Sequence, residues 1–285
     1  VPLADHELMR INQKIERREL FFQSGAPLSF PLRKAWVSAN RVYLYAEIEG
    51  ILFLKKGTAI VEKNRVENPM IRFTEAQSDR FFADLGLEKN GDLVSSGSNL
   101  PAGPHLSAEV LKGLYTKLPR HGHCLVTAAS AEVDELHNLV FGTNYQSHIH
   151  LDHNLDRLQA VKGKLELNTR YILCDSGVMP FGNESVDGYF SFNAIEGADK
   201  EAQKEAYHAL KAALKKEAPC ICIVNEQEKN HFETFYKSDT LSARLKPWKK
   251  SGIPYFYFQK TSYAGKGASA SVSDKRSFGS QLSQA

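Results

Sequence analysis

Residues 171–196, YILCDSGVMPFGNESVDGYFSFNAIE, decide the fold. The apolar run Tyr171, Ile172, Leu173, Cys174 stops at Asp175. A loop follows, centred on Met179-Pro180-Phe181, with Asn183-Glu184-Ser185 as a turn. Val186 to Phe192 is a second apolar and aromatic run, ended by polar Asn193. Two buried strands in quick succession, the first ending on a carboxylate, predict a parallel sheet whose strand ends carry a ligand site.

Downstream of this stretch, strand and helix alternate. A long amphipathic helix is expected over Ala198 to Lys216, a strand over Pro219 to Val224, a helix over Glu228 to Tyr236 and an aromatic strand over Ile253 to Lys260. Residues 264–285 are rich in Gly, Ala and Ser without apolar periodicity, which predicts a disordered tail. Upstream, Ser107 to Leu118 reads as a capped helix stopped by Pro119. Strands are expected at Cys124 to Thr127 and at His148 to Leu151, the latter ending on Asp152. Helices are expected over Glu132 to Val140 and Leu155 to Lys164. The alternation predicts an α/β fold: a doubly wound, mostly parallel seven-stranded sheet with an antiparallel last strand.

The first hundred residues have a different texture. Leu8, Ile11, Ile15 and Phe22 recur at roughly helical spacing among charges, predicting an amphipathic helix over 5–22. Residues 41–62 are β-branched and aromatic, interrupted by Gly50 and Lys55-Lys56-Gly57. They predict two or three antiparallel strands, with a helix over Leu44 to Leu54 as the alternative. A second helix is expected between Phe73 and Leu87, capped by Thr74 or Ser78. Residues 89–104 are rich in Gly, Ser, Asn and Pro, the best candidate linker. The expected division is therefore an N-terminal α+β extension over 1–104, an α/β domain over 105–263 and a tail over 264–285.

Composition narrows the function classes. The net charge of +3 comes from 36 basic and 33 acidic residues mixed along the chain, not from the clustered basic face of a dedicated nucleic-acid binder. A small basic and aromatic patch around Trp248 (Lys246, Lys249, Lys250) is the one place where RNA or an acidic partner would be sought. Cys124, Cys174, Cys220 and Cys222 sit in or beside apolar runs and read as core residues in the cytoplasm or another reducing compartment. No run reaches bilayer-spanning length, and no signal peptide is visible.

Three segments resemble the class I S-adenosylmethionine-dependent methyltransferases. Asp175-x-x-x-Met179-Pro180-Phe181-x-x-x-Ser185-Val186-Asp187 is similar to that family's D-x-x-x-L-P-F-x-x-x-S-F-D segment. His150 to Leu158 looks like its second strand, terminal acid and following helix. The helix through Leu210 and the strand from Cys220 sit where its fourth helix and fifth strand fall. The resemblance covers roughly Ser107 to Ser262 and implies S-adenosylmethionine as cofactor and a Rossmann-like methyltransferase fold. It gives Asp152 the ribose hydroxyls, places His153 near the adenine, and assigns the adenine amino group to Asp175 with the backbone around Ser176. Asn193, at the tip of the fourth strand, is the expected substrate contact. The bland alternative is that both acids only end strands and cap helices, a common use of Asp.

The departure from that family is at the first strand. Thr127-Ala128-Ala129-Ser130-Ala131-Glu132-Val133 contains no glycine where the family has a Gly-rich turn. Glycines there let the backbone approach a cofactor closely. Two readings follow: an active methyltransferase with an unassigned acceptor, or a methyltransferase fold without catalysis. The latter would serve as a scaffold or subunit whose N-terminal extension docks a protein partner. A third reading competes. His148-x-His150-x-Asp152-His153 spells the H-x-H-x-D-H of the metallo-β-lactamase superfamily, whose ligands hold zinc and activate water. Its context lacks the later His and Asp ligands on loops, so no metal is expected.

Overall fold

The computed structural model describes residues 1–67, 73–94, 122–127, 147–162, 169–175, 178–192, 200–223 and 255–259. The chain opens with helix α1 (Asp5–Glu16) and strands β1 (Leu20–Phe22), β2 (Ala35–Val37), β3 (Leu44–Ile48), β4 (Ile51–Phe53) and β5 (Ile60–Glu62), then α2 (Glu75–Asp84). After these come β6 (His123–Thr127), β7 (Ser147–Asp152), α3 (Leu155–Lys162), β8 (Thr169–Leu173), β9 (Gly188–Phe192), α4 (Lys200–Ala213), β10 (Pro219–Ile223) and β11 (Tyr255–Gln259).

All eleven strands join one sheet, in the order β1-β5-β3-β4-β8-β7-β6-β9-β10-β11, with β2 paired to β3. From β4 to β10 every neighbour is parallel. β11 runs antiparallel to β10, as expected for the last strand. The order turns around at β6: β7 and β8 are laid down on one side of it, β9, β10 and β11 on the other. That reversal is the topological switch point of a doubly wound, Rossmann-like sheet, where ligands bind outside the carboxyl ends of the strands.

Strand alternation sends successive side chains to opposite faces, and each face has its own core. On one, Ile51, Phe53, Tyr171 and Leu173 pack with Ile15 of α1, Phe82 of α2, Leu85 just after it, and Leu158 and Val161 of α3. On the other, Leu52, Ile149, Leu151, Ile172, Cys174 and Tyr189 pack with Trp36, Tyr45 and the α4 residues Leu210 and Ala213.

The N-terminal strands continue the parallel sheet. Ile51, Leu52 and Phe53 of β4 register with Tyr171, Ile172 and Leu173 of β8. β3 and β4 form a hairpin closed by Glu49 and Gly50, with φ values of 47° and 79°. Two residues with positive φ make the type I′ turn that matches strand twist.

Two expectations are corrected. The alternative helix over Leu44 to Leu54 is replaced by β3 and β4, because the hairpin turn forces pairing. Phe22 lies on β1 and not on the first helix, which stops at Glu16; Arg18 then turns with φ 58°, a left-handed position that ends helical geometry. The helix expected near 73–87 is α2, held by a capping box: Thr74 Oγ1 accepts from Gln77 N at 3.2 Å, and Gln77 Oε1 accepts from Thr74 N at 2.9 Å. The helices expected over 107–118, 132–140 and 228–236, the basic patch near Trp248 and the tail from 264 lie outside the described residues, as do linker residues 95–104.

Candidate functional site

The carboxyl ends of β7 and β8 carry the two acids singled out by the sequence. Asp152 is the last residue of β7 and registers with Leu173, the last of β8. Its backbone oxygen accepts from Cys174 N at 3.0 Å, so the chain between the two acids is stitched strand to strand. Asp175 follows immediately. The charges of both carboxylates bear on the Cys174 thiol, which burial and then the two acids hold well above its ordinary pKa.

The Asp152 side chain is 4% exposed. Oδ1 accepts from Asn154 N at 2.9 Å, and Nδ1 of the half-exposed His153 lies 3.4 Å from the same oxygen. Among the described residues Oδ2 accepts no hydrogen bond, and the Arg157 guanidinium stands off at 3.9 Å. Burial raises the pKa of this carboxyl, opposed by the Asn154 N–H and by the charges of Arg157 and His153. A buried carboxylate oxygen left without a donor is costly unless a ligand supplies one. Helix capping falls to another residue: Asn154 Oδ1 accepts from Arg157 N at 3.2 Å.

Asp175 is partly exposed. Its Oδ2 accepts from the backbone N–H of Lys56 at 2.7 Å, and it has no other side-chain hydrogen bond among the described residues. Lys56 belongs to the β4–β5 turn, so the N-terminal strands reach the tip of β8.

Asp187, which closes the D-x-x-x-M-P-F segment, lies at the opposite edge of the sheet. Its carboxylate accepts from His123 N at 2.8 Å and from Lys215 Nζ at 2.7 Å, tying the start of β6 to the turn after α4. Met179 and Val186 of the same segment are buried in the core beside Tyr189. The segment thus combines one acid at a strand tip with a structural remainder. Ser176, Asn193 and the glycine-free turn over 128–133 lie outside the described residues.

The histidines of H-x-H-x-D-H divide. His148 and His150 are buried on the face of β7 that also carries Asp152, and His150 stacks on Tyr171 with ring centroids 5.7 Å apart. Burial lowers their pKa values to about 4 and about 3. His153 lies beyond the strand and is half exposed. Among the described residues no three His, Cys, Asp or Glu side chains converge as a cation site.

A cavity of about 580 Å³ lies at the other edge, where His123, Thr169 and Arg170 begin their strands. Glu47 there accepts from Trp36 Nε1 at 2.6 Å and from Lys34 Nζ at 2.8 Å, and the Arg170 guanidinium lies 5.6 Å from the Trp36 ring centroid. The cavity is remote from the strand tips.

Lys56, Arg157 and Cys174 are the neighbours that sequence reasoning missed. Arg157 carried a signal, as a basic residue one helical turn beyond the acid. Lys56 carried none, because its contribution comes from the backbone.

No protein-family model matches the chain, and no curated protein matches it. Its structure is similar to solved structures of S-adenosylmethionine-dependent methyltransferases. A TehB-like enzyme from Corynebacterium glutamicum is 13% identical, with 56% of this chain and 90% of that one covered and a TM-score of 0.45. One from Aquifex aeolicus is 13% identical, covering 54% and 90%, with a TM-score of 0.44. CalS10, an amino pentose methyltransferase of Micromonospora echinaspora solved with S-adenosylmethionine bound, is 12% identical, covering 54% and 89%, with a TM-score of 0.41. At these values the likeness concerns fold alone. Among the described residues no helix is long and apolar enough to cross a membrane.

Proposed function

We propose that this protein binds S-adenosylmethionine at the carboxyl ends of β6, β7 and β8 and transfers its methyl group to an acceptor that nothing yet identifies. The observation that carries this reading is Asp152: a buried carboxylate at a strand tip beside the switch point, with one oxygen lacking a donor among the described residues. Asp152 would accept from the ribose hydroxyls, with His153 beside it. Asp175, aided by the backbone around Ser176, would accept from the adenine amino group, and Asn193 would contact the acceptor. The cofactor, when bound, supplies an electrophilic methyl on sulfonium. The protein's contribution is to hold it in line with a nucleophile, and such transfer depends mostly on positioning.

The second reading is a non-catalytic subunit of the same fold, joined to a protein partner through its N-terminal elements. The glycine-free sequence from Thr127 to Val133 favours it, since Glu132 and Val133 add bulk where the methionine end would lie. Calorimetric titration with S-adenosylmethionine and S-adenosylhomocysteine separates the two. Binding that is lost in Asp152→Ala supports the first reading; no heat at millimolar ligand leaves the second.

A further inference from the structure

The β4–β5 turn is built as a rigid donor. Thr58 N donates to Lys55 O at 3.1 Å, and Gly57 has φ 81° at the third position, the signature of a type II turn. The Thr58 hydroxyl, buried, donates to Lys55 O at 2.6 Å and reaches Phe53 O at 3.4 Å. Ser24 N donates to Gly57 O at 3.3 Å from the β1 side. At the other end Leu54 N donates to Leu173 O at 2.7 Å, extending β4 along β8 to the strand tip. The turn is thus tied at both ends, and the N–H of Lys56 meets Asp175 Oδ2 at 2.7 Å.

Resting on the functional reading above, we propose that the Lys56 backbone N–H is a positioning group for base recognition. It fixes one oxygen of Asp175, leaving the other as the single acceptor presented to an exocyclic amino group. A carboxylate free to rotate presents either oxygen in many orientations, whereas one anchored through a preorganised donor selects a ligand that can donate at one place. A 6-amino purine donates there. A 6-oxo purine presents an acceptor to an acceptor and is rejected. The N-terminal strands would thereby set the base preference of a site on the α/β sheet.

The test exploits the turn type. Position i+1 of a type II turn favours proline, so Lys56→Pro deletes the N–H with little disturbance of the fold. Lys56→Ala keeps the N–H and serves as control. Affinities for S-adenosylhomocysteine and for its inosine counterpart are measured by calorimetry, with thermal melts confirming folding. Wild type and Lys56→Ala are expected to prefer the adenine ligand by about tenfold or more, the scale of one charge-assisted hydrogen bond. Lys56→Pro is expected to lose most of that preference. Thr58→Val, which loosens the turn without removing the donor, is expected to lose part of it, so the test stands even if the proline variant misfolds. Undiminished discrimination in a folded Lys56→Pro overturns the inference while leaving the functional reading intact. Absence of binding by the wild type overturns both.

Discussion

His150 and Tyr171 face each other across the parallel strands β7 and β8, with ring planes 27° apart and His150 buried. His148 lies two residues earlier on the same face, also buried. Both histidines therefore stay neutral in the native sheet, with pKa values lowered to about 4 and about 3 against 6.5 for an exposed imidazole.

This fixes a pH dependence. A lowered histidine pKa means that the unfolded chain binds the proton first, so stability falls as pH drops below about 6.5 and continues to fall towards pH 4. Two such groups give a slope of up to about 2.7 kcal/mol per pH unit inside that window. Urea unfolding at pH 7.5, 6.5, 5.5 and 4.5 measures it. His150→Phe is expected to reduce the slope by about half, and an unchanged slope contradicts the assignment.

Asp152 has the opposite sign. Its folded pKa is raised, so its protonated form favours folding below the unfolded value and that stability is lost as pH rises through the folded pKa. At neutral pH a buried, half-satisfied charge is retained at a cost. Asp152→Asn keeps an acceptor for the Asn154 N–H and removes the charge. It is expected to stabilise the protein by about 1 kcal/mol, or a few degrees in Tm, while abolishing nucleoside binding. A destabilised variant would mean that the carboxylate is held for structure.

The N-terminal strands are part of the core. Ile51 and Phe53 are 0% and 2% exposed and register with Tyr171 and Leu173. Phe53→Ala is expected to cost about 3–5 kcal/mol. Far-ultraviolet dichroism and Trp36 fluorescence in a Trp248→Phe background should report one coincident transition. Separate transitions would show that the strands before residue 94 unfold on their own.

Glu47 supports a smaller network. It is the acceptor for the Trp36 indole N–H at 2.6 Å, and its side chain is 13% exposed. Glu47→Ala strands that donor and should destabilise by about 1–3 kcal/mol. Trp36→Phe should lower the cost of the same substitution, as a double-mutant cycle would reveal.

Much of the sheet was legible in the sequence because its signals are local. The apolar runs ending at Asp152 and Asp175 marked both strand tips. Phe22 was misread because its spacing from Ile15 fits a helix once the left-handed turn at Arg18 is unseen. The parallel pairing of Ile51–Phe53 with Tyr171–Leu173 had no local signal, since an apolar strand does not name its neighbour. Lys56 was illegible for a different reason: any residue but proline supplies the same N–H.

The most direct test of the nucleoside crevice compares S-adenosylhomocysteine with its 2′-deoxy counterpart by calorimetry on the full chain. If Asp152 Oδ2 accepts from the ribose, the deoxy ligand should bind about tenfold or more weakly in the wild type, and Asp152→Ala should bind neither ligand. Equal affinity for the two ligands in the wild type, or no affinity for either, would contradict the account.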